Sequence, residues 1–250
     1  MGTYSSATRQ GAYEPFELQV ARNQIDGHTP LNIFGYSTAV GSTALGPVWE
    51  GLTLSGGAYT YPSSAAALVL VSDSASDTSA LSIRIEGLDA NFNPIIETIA
   101  MNGTTNVTTT NSFLRINLMS TTNGLNVGNI TAKIGATTYA KMNAGIGQTQ
   151  MSLYTVPAGY TFYLSYVQAD ASVGFTSSNY MKFAEYNKDN TTGEVNLLNQ
   201  STFVQAFQFP FTCPVAHLQK TDIQFQIVSN TGSPFTANIY AGGILIKNPD

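Results

Sequence analysis

Leu81-Ser82-Ile83-Arg84-Ile85-Glu86-Gly87-Leu88-Asp89-Ala90-Asn91-Phe92-Asn93-Pro94-Ile95-Ile96-Glu97-Thr98-Ile99-Ala100-Met101-Asn102-Gly103 is the stretch that decides the fold class. Leu81, Ile83 and Ile85 alternate with Ser82, Arg84 and Glu86. That period of two puts apolar side chains on one face of a strand and charged ones on the other. Gly87 to Pro94 turns the chain, and Ile95 to Met101 runs back. Asn102-Gly103 then reads as a hairpin signal, because a type I′ turn needs two residues at positive φ.

The same grammar continues in both directions. Ala67 to Ser72 is a compact apolar run upstream. Val107 to Thr110, Phe113 to Met119, Asn129 to Ile134 and Thr137 to Lys141 follow downstream, with Asn123-Gly124 as a further turn. Met151 to Val156 and Thr161 to Ala169 flank Pro157-Ala158-Gly159-Tyr160, which has Pro and Gly where turn geometry wants them. Phe162, Leu164, Tyr166 and Gln168 are expected on one face of the second of these strands. Tyr180 to Tyr186, Val195 to Leu198, Phe203 to Phe209, Ile223 to Val228 and Ala237 to Ile246 complete the series. Many short strands with turns between them, and no helical period of useful length, predict an all-β protein of β-sandwich or jelly-roll type.

Composition agrees. Charged residues make up only 10% of the 250, while 30 Thr, 22 Ser and 20 Asn supply neutral polarity and hold the mean hydropathy at +0.00. β-branched and aromatic residues fit a pleated surface, and Gly and Asn fit turns. Ten Lys+Arg against fifteen Asp+Glu leave a net charge of -5, with no basic run to neutralise phosphates, so nucleic acid is not an expected partner. No apolar run reaches the roughly 18–20 residues of a membrane-spanning helix, and Met1 to Ser6 has no leader pattern, so no membrane is expected either. A single Cys213 excludes an internal disulfide and a multi-cysteine zinc site.

Three regions are expected. Residues 1–28 read as an extended N-terminal arm, in which Phe16, Leu18 and Val20 alternate with Glu17, Gln19 and Ala21 as a short strand able to add to a sheet. Residues 29–142 form a first β-sandwich region and 143–250 a second, divided at Asn143-Ala144-Gly145-Ile146-Gly147. The two halves are either separate sandwiches or one continuous sheet pair.

Little in the chain points to catalysis. His217 lies between apolar neighbours and reads as an ordinary half-buried position, and no Gly-x-Ser-x-Gly elbow is present. Glu86, Asp89 and Glu97 cluster in sequence, but Glu86 and Glu97 fit the wet faces of adjacent strands, with Arg84 near enough to pair. Asp89, Asn91 and Asn93 open like a calcium loop, yet Pro94 and Ala100 stand where the sharp-turn Gly and the bidentate Glu belong, which favours an Asx turn. Asp73, Ser74 and Asp77 read the same way, and Cys213 reads as a buried small hydrophobe. No catalytic, cofactor-binding or metal residue is nominated, and the chain is expected not to be an enzyme. The candidate contact residues are Phe16, Leu18 and Val20 in the arm, and Tyr160, Phe162 and Tyr166 around the Pro157 turn. Aromatic clusters of that kind serve cores, subunit interfaces or glycan platforms.

Val20-Ala21-Arg22-Asn23-Gln24-Ile25-Asp26-Gly27-His28 resembles an N-terminal signature of a family of tailed-bacteriophage structural proteins, frequent in phages of marine and freshwater bacteria including cyanobacteria. Gly87-Leu88-Asp89-Ala90-Asn91-Phe92-Asn93, Glu97-Thr98 and Asn102-Gly103 resemble its central hairpin. Tyr154-Thr155-Val156-Pro157-Ala158-Gly159-Tyr160-Thr161 resembles a hairpin of its C-terminal half. The likeness spans residues 16 to 246 and implies a virion component. The expectation that follows is a capsid decoration or cement protein. It would bind the major capsid protein on the outer shell as a homotrimer, its arm clamping neighbouring subunits. The alternative is a tail-associated adhesin or fibre module whose Tyr-rich turn binds host surface glycan.

Overall fold

A computed structural model describes residues 14–41, 44–51, 59–172, 179–230 and 234–249. The chain is all-β, with 61% strand and 3% helix in a sandwich-type arrangement of antiparallel sheets. A short helix, α1 (Phe16–Ala21), precedes β1 (His28–Val40) and β2 (Gly46–Pro47). Seven strands follow: β3 (Ala66–Ser72), β4 (Ser82–Leu88), β5 (Pro94–Ala100), β6 (Val107–Phe113), β7 (Arg115–Thr121), β8 (Ile130–Ile134) and β9 (Thr137–Met142). The last seven are β10 (Leu153–Thr155), β11 (Tyr160–Ser172), β12 (Met181–Asp189), β13 (Val195–Phe203), β14 (Ala206–His217), β15 (Thr221–Ser229) and β16 (Phe235–Lys247).

Among the described residues four sheets enclose two cores. Sheets β6-β3-β8-β9 and β5-β4-β7 bury Leu68, Leu70, Ile83, Ile85, Phe113 and Met119 between them. Sheets β1-β16-β11-β14 and β10-β15-β12-β13, the latter with β2 paired to β15, bury Ile33, Phe162, Leu164, Phe183, Phe225 and Ile239. The alternation in β4 holds as read: Ile83 and Ile85 are buried, while Arg84 and Glu86 face outward and form an ion pair.

The strands do not sort by a single cut near residue 143. β1 runs antiparallel to β16 from His28↔Ile246 to Ser37↔Ala237, so residues 28–47 pack with 153–247, and residues 59–151 form an inserted unit between them. No local pattern records this pairing, because its two strands lie about two hundred residues apart and each is consistent with any neutral partner.

Two expected hairpins are crossings between sheets. β5 pairs with β4 and β6 with β3, so Asn102-Gly103 carries the chain from one sheet to the other. The Gly103 carbonyl accepts from Ser72 N–H, and its own N–H donates to the Asp77 carbonyl. β10 pairs with β15 and β11 with β14 and β16, so the Pro157 turn does the same in the other core. Gly159 sits there at φ 77 with Tyr160 N–H donating to the Pro157 carbonyl, a type II geometry that only Gly or Asn adopts easily.

The expected strand at Phe16–Val20 is instead α1. Pro15 fixes the entry angle and its carbonyl accepts from Leu18 and Gln19 N–H. Glu17, Leu18, Gln19 and Ala21 are all compatible with a helix. Asn23 at φ 54, just past the C-cap Arg22, ends the element. Residues 1–13 of the expected arm lie outside the described residues.

β11 also departs from the expected face. A bulge between Leu164 and Tyr166 inserts one residue, so Phe162 and Leu164 point inward and then Val167, Ala169 and Ala171 do. Tyr166 and Gln168 are thereby turned away from the core, as a one-residue slip requires. Gly242 and Gly243 of β16 accept this irregular neighbour. A Cβ on Gly243 would collide with the Tyr163 carbonyl oxygen and lie 2.9 Å from the Phe162 ring.

Candidate functional site

Among the described residues, one exposed apolar region is the flank where β13 and β14 end their sheets. Val195 is 63% exposed and Phe209 52%, and Leu197, Leu198 and Val204 are exposed beside them. Residues 195–217 contain no Lys, Arg, Asp or Glu. Edge strands are normally guarded by charge, proline or a covering segment, so a neutral apolar edge marks a contact surface. β14 carries Pro210 and Pro214, which remove two backbone donors; β13 carries neither proline nor charge.

The residues nominated from sequence fall in different places. Phe16 and Leu18 are exposed on α1, Phe16 edge-on to His28 at 5.8 Å, while Val20 is buried and holds the helix down. Phe162 is fully buried, so it is a core residue and not a contact residue. Tyr160 is half-buried and lines a cleft of about 740 Å³ with Tyr154, Tyr240, Asn117 and Pro157. Tyr166 stacks on Tyr240 with ring centroids 5.4 Å apart, near the same cleft. Cys213, expected to be buried, is exposed on β14.

A second cleft, of about 690 Å³, opens where the two cores meet. At its base Arg115 of β7 donates from Nε and Nη2 to Asp222 of β15, at 2.8 and 2.9 Å, both side chains being buried. Arg115 Nη1 donates to the carbonyls of Pro62 and Leu114, and Thr155 Oγ1 donates to Asp222 at 2.6 Å. The guanidinium lies under Tyr61 at 4.4 Å and near Phe92 at 5.4 Å. Phe92 stands at φ 67, a left-handed conformation that a bulky residue adopts at a cost of roughly 1–2 kcal/mol. The turn that imposes it is closed by Asp89, whose carboxylate accepts from Asn91 N–H and Asn93 N–H, each at 2.8 Å, and from the Asn93 amide. This is an Asx turn with both carboxylate oxygens engaged. The arrangement welds the cores together, because every donor side of the guanidinium is already used.

A polar cluster lies inside the other core. Glu185 of β12 and His217 of β14 are both fully buried, with Nε2 of the imidazole 3.3 Å from the Glu185 carboxylate. Asn199 donates to the other Glu185 oxygen at 2.5 Å, and the Asn187 amide nitrogen lies 2.7 Å from His217 Nδ1. Phe162 stacks on the imidazole at 5.7 Å. Burial pushes the Glu185 carboxyl up to about 7, against the pull of Asn199, and pushes His217 down to about 4. Both shifts favour uncharged groups, so the pair is held as a neutral one. His217 is thus more deeply buried than its apolar neighbours in sequence suggested. Glu185 gave no signal at all, since nothing in sequence marks which strand face a lone carboxylate will take.

Three further carboxylates are engaged in local structure. Glu97 of β5 accepts from Thr110 N–H and Asn111 N–H of β6, at 2.7 and 2.8 Å, tying the edges of two sheets together. Asp73 accepts from the backbone and side chain of Asn129, each at 2.7 Å. Burial raises Asp77, but hydrogen bonds from Ser72 Oγ and from the N–H groups of Val127 and Gly128 outweigh it and bring the carboxyl below its ordinary value. Among the described residues no group of three or more His, Cys, Asp or Glu comes together. No family model matches the chain, and neither the curated proteins nor the solved structures contain a match to it.

Proposed function

We propose that the chain is a non-enzymatic bacteriophage virion protein. In this reading it is a capsid decoration protein that sits on the outer shell as a homo-oligomer and contacts the major capsid protein. The observation that carries this reading is the neutral, exposed apolar flank formed by β13 and β14. Subunits packed side by side in a shell present the same surfaces to one another many times, and a low surface charge keeps their mutual repulsion small. The sequence resemblance at residues 20–28, 87–103 and 154–161 supplies the virion context. A clamp made by strand addition from Phe16–Val20 has no place in this proposal, because that segment is helical. Quantitative mass spectrometry of purified virions is the test. A copy number comparable with that of the major capsid protein is the expected result, and absence from particles would remove the reading.

The Tyr-lined cleft favours a second reading, a tail-associated module that binds host surface glycan. Tyr160 and Tyr240 line one concave surface, the placement that stacking on a sugar requires. In that case the copy number matches the tail symmetry, and Tyr160→Ala lowers binding to host cells about tenfold or more, the loss of one buried aromatic anchor. Unchanged binding by the variant would leave the glycan reading without its site.

A further inference from the structure

The outer strands of the four sheets are guarded unequally. β1 contains Pro30 and begins beside α1, and β14 contains Pro210 and Pro214. β5 begins at Pro94, and its Glu97 occupies two N–H groups of β6. β9 carries Lys141, and β7 is bridged by segment 147–149 through Thr121 N–H to the Gly147 carbonyl and Thr149 N–H to the Met119 carbonyl. β10 is only three residues long. Among the described residues β13 has no proline, charge or bridging segment, and its one irregularity is a bulge at Leu198, between the pairs Leu197↔Tyr186 and Asn199↔Glu185. The strand is nine residues long, about 30 Å at 3.3 Å per residue. Val195, Leu197 and Leu198 are exposed along it.

The partner strand must suit that edge. A charged strand laid against β13 would lose hydration without finding an opposite charge there, so only a neutral strand is matched. The chain as a whole is acidic, at -5, so an edge without charge is one where a second copy meets little repulsion. Antiparallel pairing of a strand with its own copy is self-complementary about a two-fold axis. It also continues the antiparallel order of the sheet it extends.

We propose that β13 is the self-association edge of this protein: Val195–Phe203 of one copy pairs antiparallel with Val195–Phe203 of a second, joining two β10-β15-β12-β13 sheets into one. The contact is two-fold, where the resemblance led to the expectation of a three-fold. It is a property of the chain itself and stands or falls independently of placement in a virion.

Sedimentation velocity of the purified full chain reads it directly. The expected mass is twice 26.6 kDa, falling to the single-chain value in the double variant Leu197→Lys with Leu198→Lys. Both positions are exposed, so the far-ultraviolet circular dichroism of the variant stays that of the parent, while its thermal midpoint loses the concentration dependence that association gives the parent. Leu218→Lys, at an exposed residue beyond β14, leaves the dimer intact. A monomeric parent at 100-fold dilution series concentrations up to about 100 μM, well above a micromolar dissociation constant, would overturn the proposal. So would an oligomer that survives the double variant, or one whose mass is three chains.

Discussion

Replacing Arg115 with alanine lowers the unfolding free energy by about 3–5 kcal/mol, the usual consequence of leaving one half of a buried ion pair behind. Asp222 would keep only the Thr155 hydroxyl as a donor while remaining buried. The carbonyls of Pro62 and Leu114 would lose their donor, and the rings of Tyr61 and Phe92 would lose the cation between them. Arg115→Lys recovers little of this, since an ammonium cannot make the paired contact to Asp222 and reach two carbonyls as well. Urea titration of the three proteins measures the effect. A loss under about 1 kcal/mol would show that Asp222 escapes its burial by taking up a proton or water.

The pair is also a join between cores, because Arg115 stands on β7 and Asp222 on β15. Its sequence neighbours gave no warning. An arginine at the head of a strand ordinarily reads as a solvated charge, and its partner is 107 residues away. The strand pattern itself was legible, since period-two burial in β3 and β4 depends only on which side chains prefer water. What failed to show depends on distant or cumulative effects. The pairing of β1 with β16 leaves no local trace. The bulge near Ser165 shifts the face of Tyr166 although its own residues are ordinary strand formers. At Phe16–Ala21 six residues alternate like a strand, yet Pro15 and the docking of Val20 make them a helix. Asn102-Gly103 does turn the chain, but a turn does not say whether the next strand pairs with the last or leaves for another sheet. Of the candidate contact residues Tyr160 lines a cleft and Tyr166 stacks on Tyr240 of its wall, whereas Phe162 is core because an aromatic gives the same sequence signal in either place.

Glu185→Gln stabilises the protein, and the gain depends on pH. The Glu185 carboxyl is raised to about 7 in the folded state, so its burial costs nothing below about 4.5, where it is protonated folded or unfolded. The cost grows through that window and is complete above 7. A shift of this size corresponds to about 3 kcal/mol, so the variant gains up to that amount at pH 8 and close to none at pH 4.5. Gln keeps an oxygen for Asn199. His217 works in the opposite sense, because a folded value near 4 removes stability as pH falls from 6.5 toward 4. In the parent the two effects cancel between about 4.5 and 6.5, where the folded state holds a proton on Glu185 and the unfolded state holds one on His217. The variant lacks the first effect, so its stability rises with pH across that interval while the parent's stays level. Denaturation midpoints at pH 4.5, 6 and 8 decide the matter, and a gain that is the same at all three would mean that Glu185 is not ionising in the fold.

The antiparallel match of β1 to β16 has a consequence for biosynthesis. β1 leaves the ribosome first of the two, and its partner is completed about two hundred residues later, roughly 10–40 s at ordinary translation rates. During that interval the inserted unit of residues 59–151 has all its own strands and can close around its core. Ile33 and Val40, the inward residues of β1, meanwhile have nowhere to go. The yield of native protein is therefore governed by how long an early strand can wait unpaired, which makes elongation speed and chaperone supply the levers on its production.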